Sequence, residues 1–253
     1  MKTAILTSIA SCALFASVAE AQWTLGQWYQ WTNGHYYSVQ QISGPTNGWL
    51  IARSQAQGLI APNGASVDLA TITSSAEDQF IFAGIDTPSY WSIDSAGNNE
   101  GPNLGGYQFD KLNEPAGNWA WVTGEPWSYT RWNPGEPNNS GEAEDYLTFF
   151  GTGSARSGNW NDIGASTTPV GSSGSINYYV AESVPEPSLN IMLDSTNLAF
   201  SWPTNAQGFT LESSTNLLTG SWSAVTNGVV IMGTNYFVSF NPTQAQGFFR
   251  LKK

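Results

Sequence analysis

The 253-residue chain contains one cysteine and one histidine. That scarcity all but excludes a disulfide framework, a Cys/His zinc site and catalysis built on histidine. Basic residues are also few. The 8 Lys and Arg stand against 19 Asp and Glu, giving a net charge of −11 and a pI near 4.2. Phosphate backbones and anionic lipid heads repel such a chain, so nucleic acid is excluded as a partner. Charged residues of all kinds make up only 11%, against the usual ~25%. What is present in quantity is aromatic and turn-forming: 12 Trp, 10 Tyr and 12 Phe, with 26 Gly and 13 Pro. That composition describes a globular protein of many short strands, with no coiled coil, collagen or disordered tail.

The one extended apolar run is N-terminal. Lys2 supplies a positive start, residues 4–18 are apolar or small, and Ala19-Glu20-Ala21 is a small-residue cleavage signal. The expectation is a secretory signal peptide over residues 1–21, with the mature chain starting at Gln22 in a secreted or periplasmic location. Residues 4–18 are too few for the ~20 that a membrane span needs. They also continue past Cys12, which argues against a lipoprotein box. Removal of the leader takes the single cysteine with it, so the mature fold must rest on its core.

A composition shift divides the rest. The run Ser183-Val184-Pro185-Glu186-Pro187 reads as an extended, semi-rigid connector, with a first domain over residues 22–184, a linker over 185–187 and a second domain over 188–253. The second domain alternates apolar and polar residues in short runs around Phe200, Leu211, Trp222, Val238 and Phe249, separated by turn residues such as Asn227-Gly228. About seven strands in so short a segment predict a small all-β sandwich. It loosely resembles a sandwich module often appended to secreted bacterial proteins.

The first domain mixes types. Residues 49–57 carry apolar side chains at helical spacing, and Ser74-Ser75-Ala76-Glu77 is a capping box that predicts a second helix with Ala76, Phe80 and Ala83 on one face. Residues 34–39, 104–107, 119–122, 145–148 and 177–180 read as strands. Two early helices and later strands predict an α+β fold.

Two loop-forming runs concentrate acids and amides: Trp132-Asn133-Pro134-Gly135-Glu136-Pro137-Asn138-Asn139-Ser140-Gly141-Glu142-Ala143-Glu144-Asp145 and Gly158-Asn159-Trp160-Asn161-Asp162. Oxygen ligands without Cys or His point to a hard cation, and Ca2+ takes 6–8 oxygens in flexible geometry.

These runs also resemble the C-type lectin-like domain. The resemblance covers about residues 33–182 and rests on several motifs in order. They are the first strand at residues 34–39, Asp68-Leu69-Ala70-Thr71-Ile72 with Glu77, Asn103-Leu104-Gly105-Gly106, Gly117-Asn118-Trp119-Ala120-Trp121-Val122, then Glu136-Pro137-Asn138, Glu144 and Trp160-Asn161-Asp162. It implies a disulfide-free, bacterial-like member with Ca2+ held by Glu136, Asn138, Glu144, Asn161 and Asp162. The same resemblance implies a sugar diol bound through Glu136, Asn138, Glu144 and Asn161, with Pro137 in a cis bond and Trp160 packed beneath. Glu-Pro-Asn implies mannose-, glucose- or GlcNAc-type ligands.

Departures from the pattern are specific. Tyr146 and Ala181 stand where the family pairs cysteines, and Gln108 and Asn139 stand where an auxiliary calcium site needs acids. That leaves Asp110, Glu114, Glu144 and Asp145 as partial candidates for it. Residues 85–101 and 151–158 are long insertions, and the second could extend or cover the site. Trp132 is expected in the core, Trp127 and Tyr129 in strand packing rather than against a sugar, His35 as a strand residue, and Arg131 paired with an acid. The sequence-level function is therefore a calcium-dependent glycan-binding protein. Adhesion to a protein through the same fold is the alternative. A glycosidase built on Glu136 and Glu144 is the least favoured, because carboxylates committed to calcium make poor general acids. No heptad indicates an oligomer.

Overall fold

The computed structural model describes residues 22–165, 168–169, 175–194, 196–204, 208–218, 221–241 and 246–252. The expected leader, residues 1–21, lies outside them. Among the described residues the first part of the chain forms β1 (Tyr29–Gln30), β2 (Tyr36–Gln41), β3 (Thr46–Asn47), α1 (Trp49–Ala56), β4 (Val67–Leu69), α2 (Ser75–Ile85), β5 (Ser92–Ile93), β6 (Asn99–Gln108), β7 (Trp119–Trp121), β8 (Glu144–Gly151), β9 (Asn159–Gly164), β10 (Thr168–Pro169) and β11 (Tyr178–Ser183). The fold class is α+β, as expected. The main sheet runs β1-β2-β11-β6-β8-β9, with β4 added on β11 and with β5 and β7 on β6. Its pairings are antiparallel except β11 with β6, which is parallel through Tyr179 and Asn103.

α1 buries Trp49, Ala52 and Ala56, the spacing visible in the sequence. Its Trp49 ring stacks on Tyr146 at 4.4 Å and donates its indole N–H to the Leu104 carbonyl at 2.6 Å. Tyr146, one of the residues that the resemblance sets at a cysteine position, packs by its ring here, and Ala181 is buried in the same cluster.

α2 departs from expectation twice. Its N-cap Ser74 does accept the Glu77 amide at 3.2 Å, but the Glu77 carboxylate reaches back to Thr73, taking its N–H at 2.6 Å and its hydroxyl at 2.8 Å. The buried face is also rotated from the expected one. It comprises Glu77, Asp78, Ile81, Gly84 and Ile85, while Ala76 is exposed. Two acids are drawn inward because the fold supplies donors for both, which no hydropathy pattern reveals. At Gly84 an added Cβ would lie 2.2 Å from the Trp23 indole, so only glycine admits that ring.

The remaining chain forms β12 (Asn190–Asp194), β13 (Asn197–Pro203), β14 (Thr210–Ser214), β15 (Ser223–Ala224), β16 (Val230–Met232), β17 (Asn235–Phe240) and β18 (Phe248–Lys252). They assemble as two antiparallel sheets, β12-β13-β17-β16 and β15-β14-β18. Phe200, Trp202, Leu211 and Val238 form their own core, and the hydrophobics packed against it all come from residues 189–251. No helix among the described residues is long and apolar enough to cross a membrane.

Candidate functional site

The run Trp160-Asn161-Asp162, read from the sequence as a loop, is the middle of strand β9. Asn and Asp are poor strand formers, but pairing with β8 overrides propensity. Leu147 faces Asp162, Thr148 faces Asn161 and Phe149 faces Trp160 across that pair. Side chains alternate along a strand. Asp162 and Trp160 therefore share the face of Leu147 and Phe149, and Asn161 takes the other. The preceding loop is strapped alongside: the Trp160 amide donates to Arg131 at 2.8 Å, and the Asn133 amide donates back to Trp160 at 2.9 Å.

Trp160 is completely buried. Trp121, Trp127, Tyr129 and Trp132 surround it with ring centroids 5.6–6.0 Å away. Its indole N–H donates to the buried carboxylate of Asp78 at 3.3 Å, and the Arg131 guanidinium donates to that same carboxylate. Trp127 and Tyr129 are spent on this aromatic block, and Arg131 has found its acid, as expected. Rigid packing thus lies directly under the loop, where disulfides are lacking.

Above it the loop carries Glu136 and Asn138 alongside Asp162, with Glu144 at the start of β8. The Glu136–Pro137 bond is cis. The Asp162 carboxylate accepts the Asn138 amide at 3.0 Å with one oxygen and the Asn139 amide at 2.7 Å with the other. Glu144 accepts the Ser140 amide at 2.8 Å, and its own amide donates to the Asn139 side chain at 3.0 Å. The Glu136 carboxyl is pushed up to about 7 by burial, by the charge of Asp162 and by a hydrogen bond shared with it. Burial also lifts Glu144 to about 7 against the pull of the Ser140 amide, with Asp162 and Glu136 repelling it further. Two oxygens, Glu136 Oε2 and Asn161 Oδ1, are buried with no hydrogen-bond partner. Glu136, Glu144 and Asp162 therefore act on one another electrostatically, and Glu136 keeps one unmet acceptor; Asn161 holds its own unmet acceptor on the opposite face of β9. Asn138 joins through its backbone.

The auxiliary candidates are arranged differently. The Lys111 ammonium lies 3.0 Å from Asp145, while both carboxyl oxygens of Glu114 and Oε1 of Gln108 are buried without partners. Insertion 151–158 turns toward the other insertion: Arg156 pairs with Asp86 at 2.7 Å, and Gly153 exchanges hydrogen bonds with Asn98 and Asn99.

The sequence reading missed a buried polar network. Glu182 accepts from His35 at 2.6 Å, from the Tyr37 hydroxyl at 3.0 Å and from the Thr71 amide at 2.7 Å, and Tyr37 also bonds Glu77. Ligand-type atoms of His35, Glu125 and Glu182 lie within 4.8 Å of one another. Burial opposes the imidazolium, but the Glu182 hydrogen bond and charge outweigh it and hold the His35 pKa up. A lone histidine in a strand gave no sign of this, because its partners come from residues far apart in the chain.

No protein-family model matches the chain. A stretch of 46 residues, 18% of the chain, is 48% identical to part of the low affinity immunoglobulin epsilon Fc receptor of Mus musculus, spanning 12% of that receptor's length. Among solved structures, the chain is similar to the C-type lectin CEL-I from Cucumaria echinata, with 26% identity and a TM-score of 0.44, covering 64% of this chain and 99% of that one. It is also similar to the cow C-type carbohydrate-recognition domain of CD23, solved in the presence of a GlcNAc2Man3 oligosaccharide, with 19% identity, a TM-score of 0.43 and coverage of 65% and 98%.

Proposed function

We propose that this chain is a secreted, calcium-dependent carbohydrate-binding protein of the C-type lectin kind, and that it performs no chemistry on its sugar. The observation that carries the reading is the electrostatic coupling of Glu136, Glu144 and Asp162, with one Glu136 oxygen left buried and unpartnered. Burial and repulsion of this kind favour the protonated form unless a positive charge joins the acids, and both Glu136 and Glu144 are raised to about 7. A donor set of oxygens alone fits Ca2+, which accepts 6–8 of them. By the resemblance, Glu136, Asn138, Glu144, Asn161 and Asp162 would hold the ion, Asn161 reaching it round β9 from the face opposite Asp162, and the ion would supply open coordination positions for vicinal hydroxyls.

The protein's own part is orientation. Asp162 fixes the Asn138–Asn139 backbone, and the aromatic block beneath keeps β9 and the loop in register. Carboxylates serving as ligands for a cation have their pKa lowered and are withdrawn from acid catalysis, which removes the glycosidase reading. Glu-Pro-Asn directs the choice toward mannose-, glucose- or GlcNAc-type diols. A shallow contact of a few hydroxyls gives about −4 kcal/mol, or millimolar affinity. In the chain as a whole, the leader over residues 1–21 directs export, residues 22–184 bind sugar, and residues 188–253 space or attach the binding domain beyond the proline linker.

A glycan array probed in calcium and in chelator tests this. Calcium-dependent retention of mannose-, glucose- or GlcNAc-terminated glycans is expected, and its loss in both Asn161→Ala and Asp162→Ala variants that remain folded. Binding to no glycan at all, alongside capture of a defined protein ligand, would replace the reading with adhesion.

A further inference from the structure

A second acidic cavity lies next to the loop site, and the sugar-binding reading uses only its Glu144. Its volume is about 210 Å³, and its walls include Asn47, Trp49, Asp94, Glu100, Asn103 and Glu144. Glu100 and Asn103 come from β6, Glu144 from the start of β8, and Asp94 from the turn between β5 and β6. Only Glu144 is shared with the loop residues already described.

Three features distinguish this cavity from a solvated acidic surface. Asn103 is fully buried, and although its amide N–H donates to the Tyr178 carbonyl at 3.3 Å, its Oδ1 has no partner. Glu100 Oε2 is likewise buried and unpartnered. Such orphans are costly unless something donates to them. No Lys, Arg or His is among the residues lining the cavity.

Each of these groups is an acceptor, and three are acids. Asp94 remains charged because amide and side-chain hydrogen bonds from Asn98, with amides of Ala96 and Gly97, outweigh its burial. A neutral donor such as water could satisfy the two orphaned oxygens but would not offset the charge that the acids bring to the cavity wall. At about 30 Å³ per water, the cavity has room for an ion with part of its hydration shell.

We propose that this cavity binds a second hard divalent cation of the calcium class, held by Glu100, Asn103 and Glu144 with water completing its shell and Asp94 adding charge. The site is independent of whether the neighbouring loops take a sugar. It ties the insertion over residues 85–101, which contains β5 and Glu100, to the start of β8.

Equilibrium dialysis of the full mature chain against calcium at pH 8 tests the proposal. Glu100→Gln preserves shape and removes the charge; Asn103→Leu removes the orphaned oxygen; Asp162→Asn damages only the loop site. The wild type is expected to bind one equivalent more than Glu100→Gln and Asn103→Leu. Asp162→Asn is expected to keep that equivalent while losing another. Should Asn103→Leu fail to fold, as read by near-ultraviolet circular dichroism, Glu100→Gln alone carries the comparison. A Glu100→Gln protein with wild-type stoichiometry and affinity within twofold would overturn the proposal, as would loss of all calcium in Asp162→Asn.

Discussion

At the scale of single residues, Asp162 does two jobs. It ties down two loop amides and places a charge beside Glu136 and Glu144. Replacing it with Asn keeps one acceptor for the loop and removes the charge. Calorimetry of Asp162→Asn is therefore expected to show calcium affinity at the loop site reduced at least tenfold, with the fold intact. Glu125 gives a separate, metal-free test. Burial, then the charge of Glu182, lifts its pKa to about 7, against 4.5 as the ordinary value. The folded state thus holds an extra proton between those values. Its stabilising share is complete below pH 4.5 and is lost as pH rises through 7. Thermal melts in chelator should show Glu125→Gln matching the wild type at pH 4 and exceeding it at pH 8, by on the order of 1 kcal/mol, which is about 2–4 °C for a chain of this size. Equal melting temperatures at pH 8 would show that Glu125 is not buried as charge. The proposed ligand set around Glu136 and Asp162 could be named from the sequence because its motifs are dense and their spacing is short. Glu100, Glu125 and Glu182 were not, because their environments are made by contacts between distant segments.

At the scale of elements, propensity and patterning located both helices and most strands, and failed where tertiary contacts overrode them. α1 and the N-cap of α2 follow directly from the spacing of Trp49, Ala52 and Ala56 and from Ser74. Substituting Ser74 by Ala should cost about 1 kcal/mol in denaturant melts, since the Glu77 amide loses its side-chain acceptor. The inward face of α2 was misread because Asp78 pairs with Arg131 and Trp160, and Glu77 bonds to Tyr37 and Thr73. Hydropathy treats both acids as outward. The same helix carries Gly84, whose missing Cβ leaves room for Trp23. Gly84→Ala should destabilise by 2 kcal/mol or more, despite alanine's better helix propensity of about 1 kcal/mol. A neutral or stabilising result would mean that Trp23 is free to move off the helix. β9 was misread as a loop for a related reason: its Asn and Asp are strand-poor residues held by pairing to β8.

At the scale of the whole molecule, the proposed reading joins the acidic charge, a single cysteine that can close no disulfide within the chain, and a weak single-site affinity. The core must carry the fold alone, and an ion that binds only the native state adds to it. Calcium at 100 times its dissociation constant should raise stability by about 2.7 kcal/mol, or some 5–10 °C in melting temperature. Unchanged melting in excess calcium would indicate that the carboxylates do not share a cation. Millimolar sugar affinity becomes useful only when several sites act together, so binding to glycan-coated surfaces should exceed binding to free monosaccharide by orders of magnitude. Five of the seven strands of residues 188–253 were legible from alternation because their core is local to that segment, whereas β12 and β16 were not named. The most direct test of the central claim is calorimetric titration of the mature chain with methyl α-mannoside, methyl α-glucoside and GlcNAc in saturating calcium and again in chelator. Millimolar binding of at least one of them in calcium with no heat in chelator is the predicted result; equal binding in both buffers would contradict it.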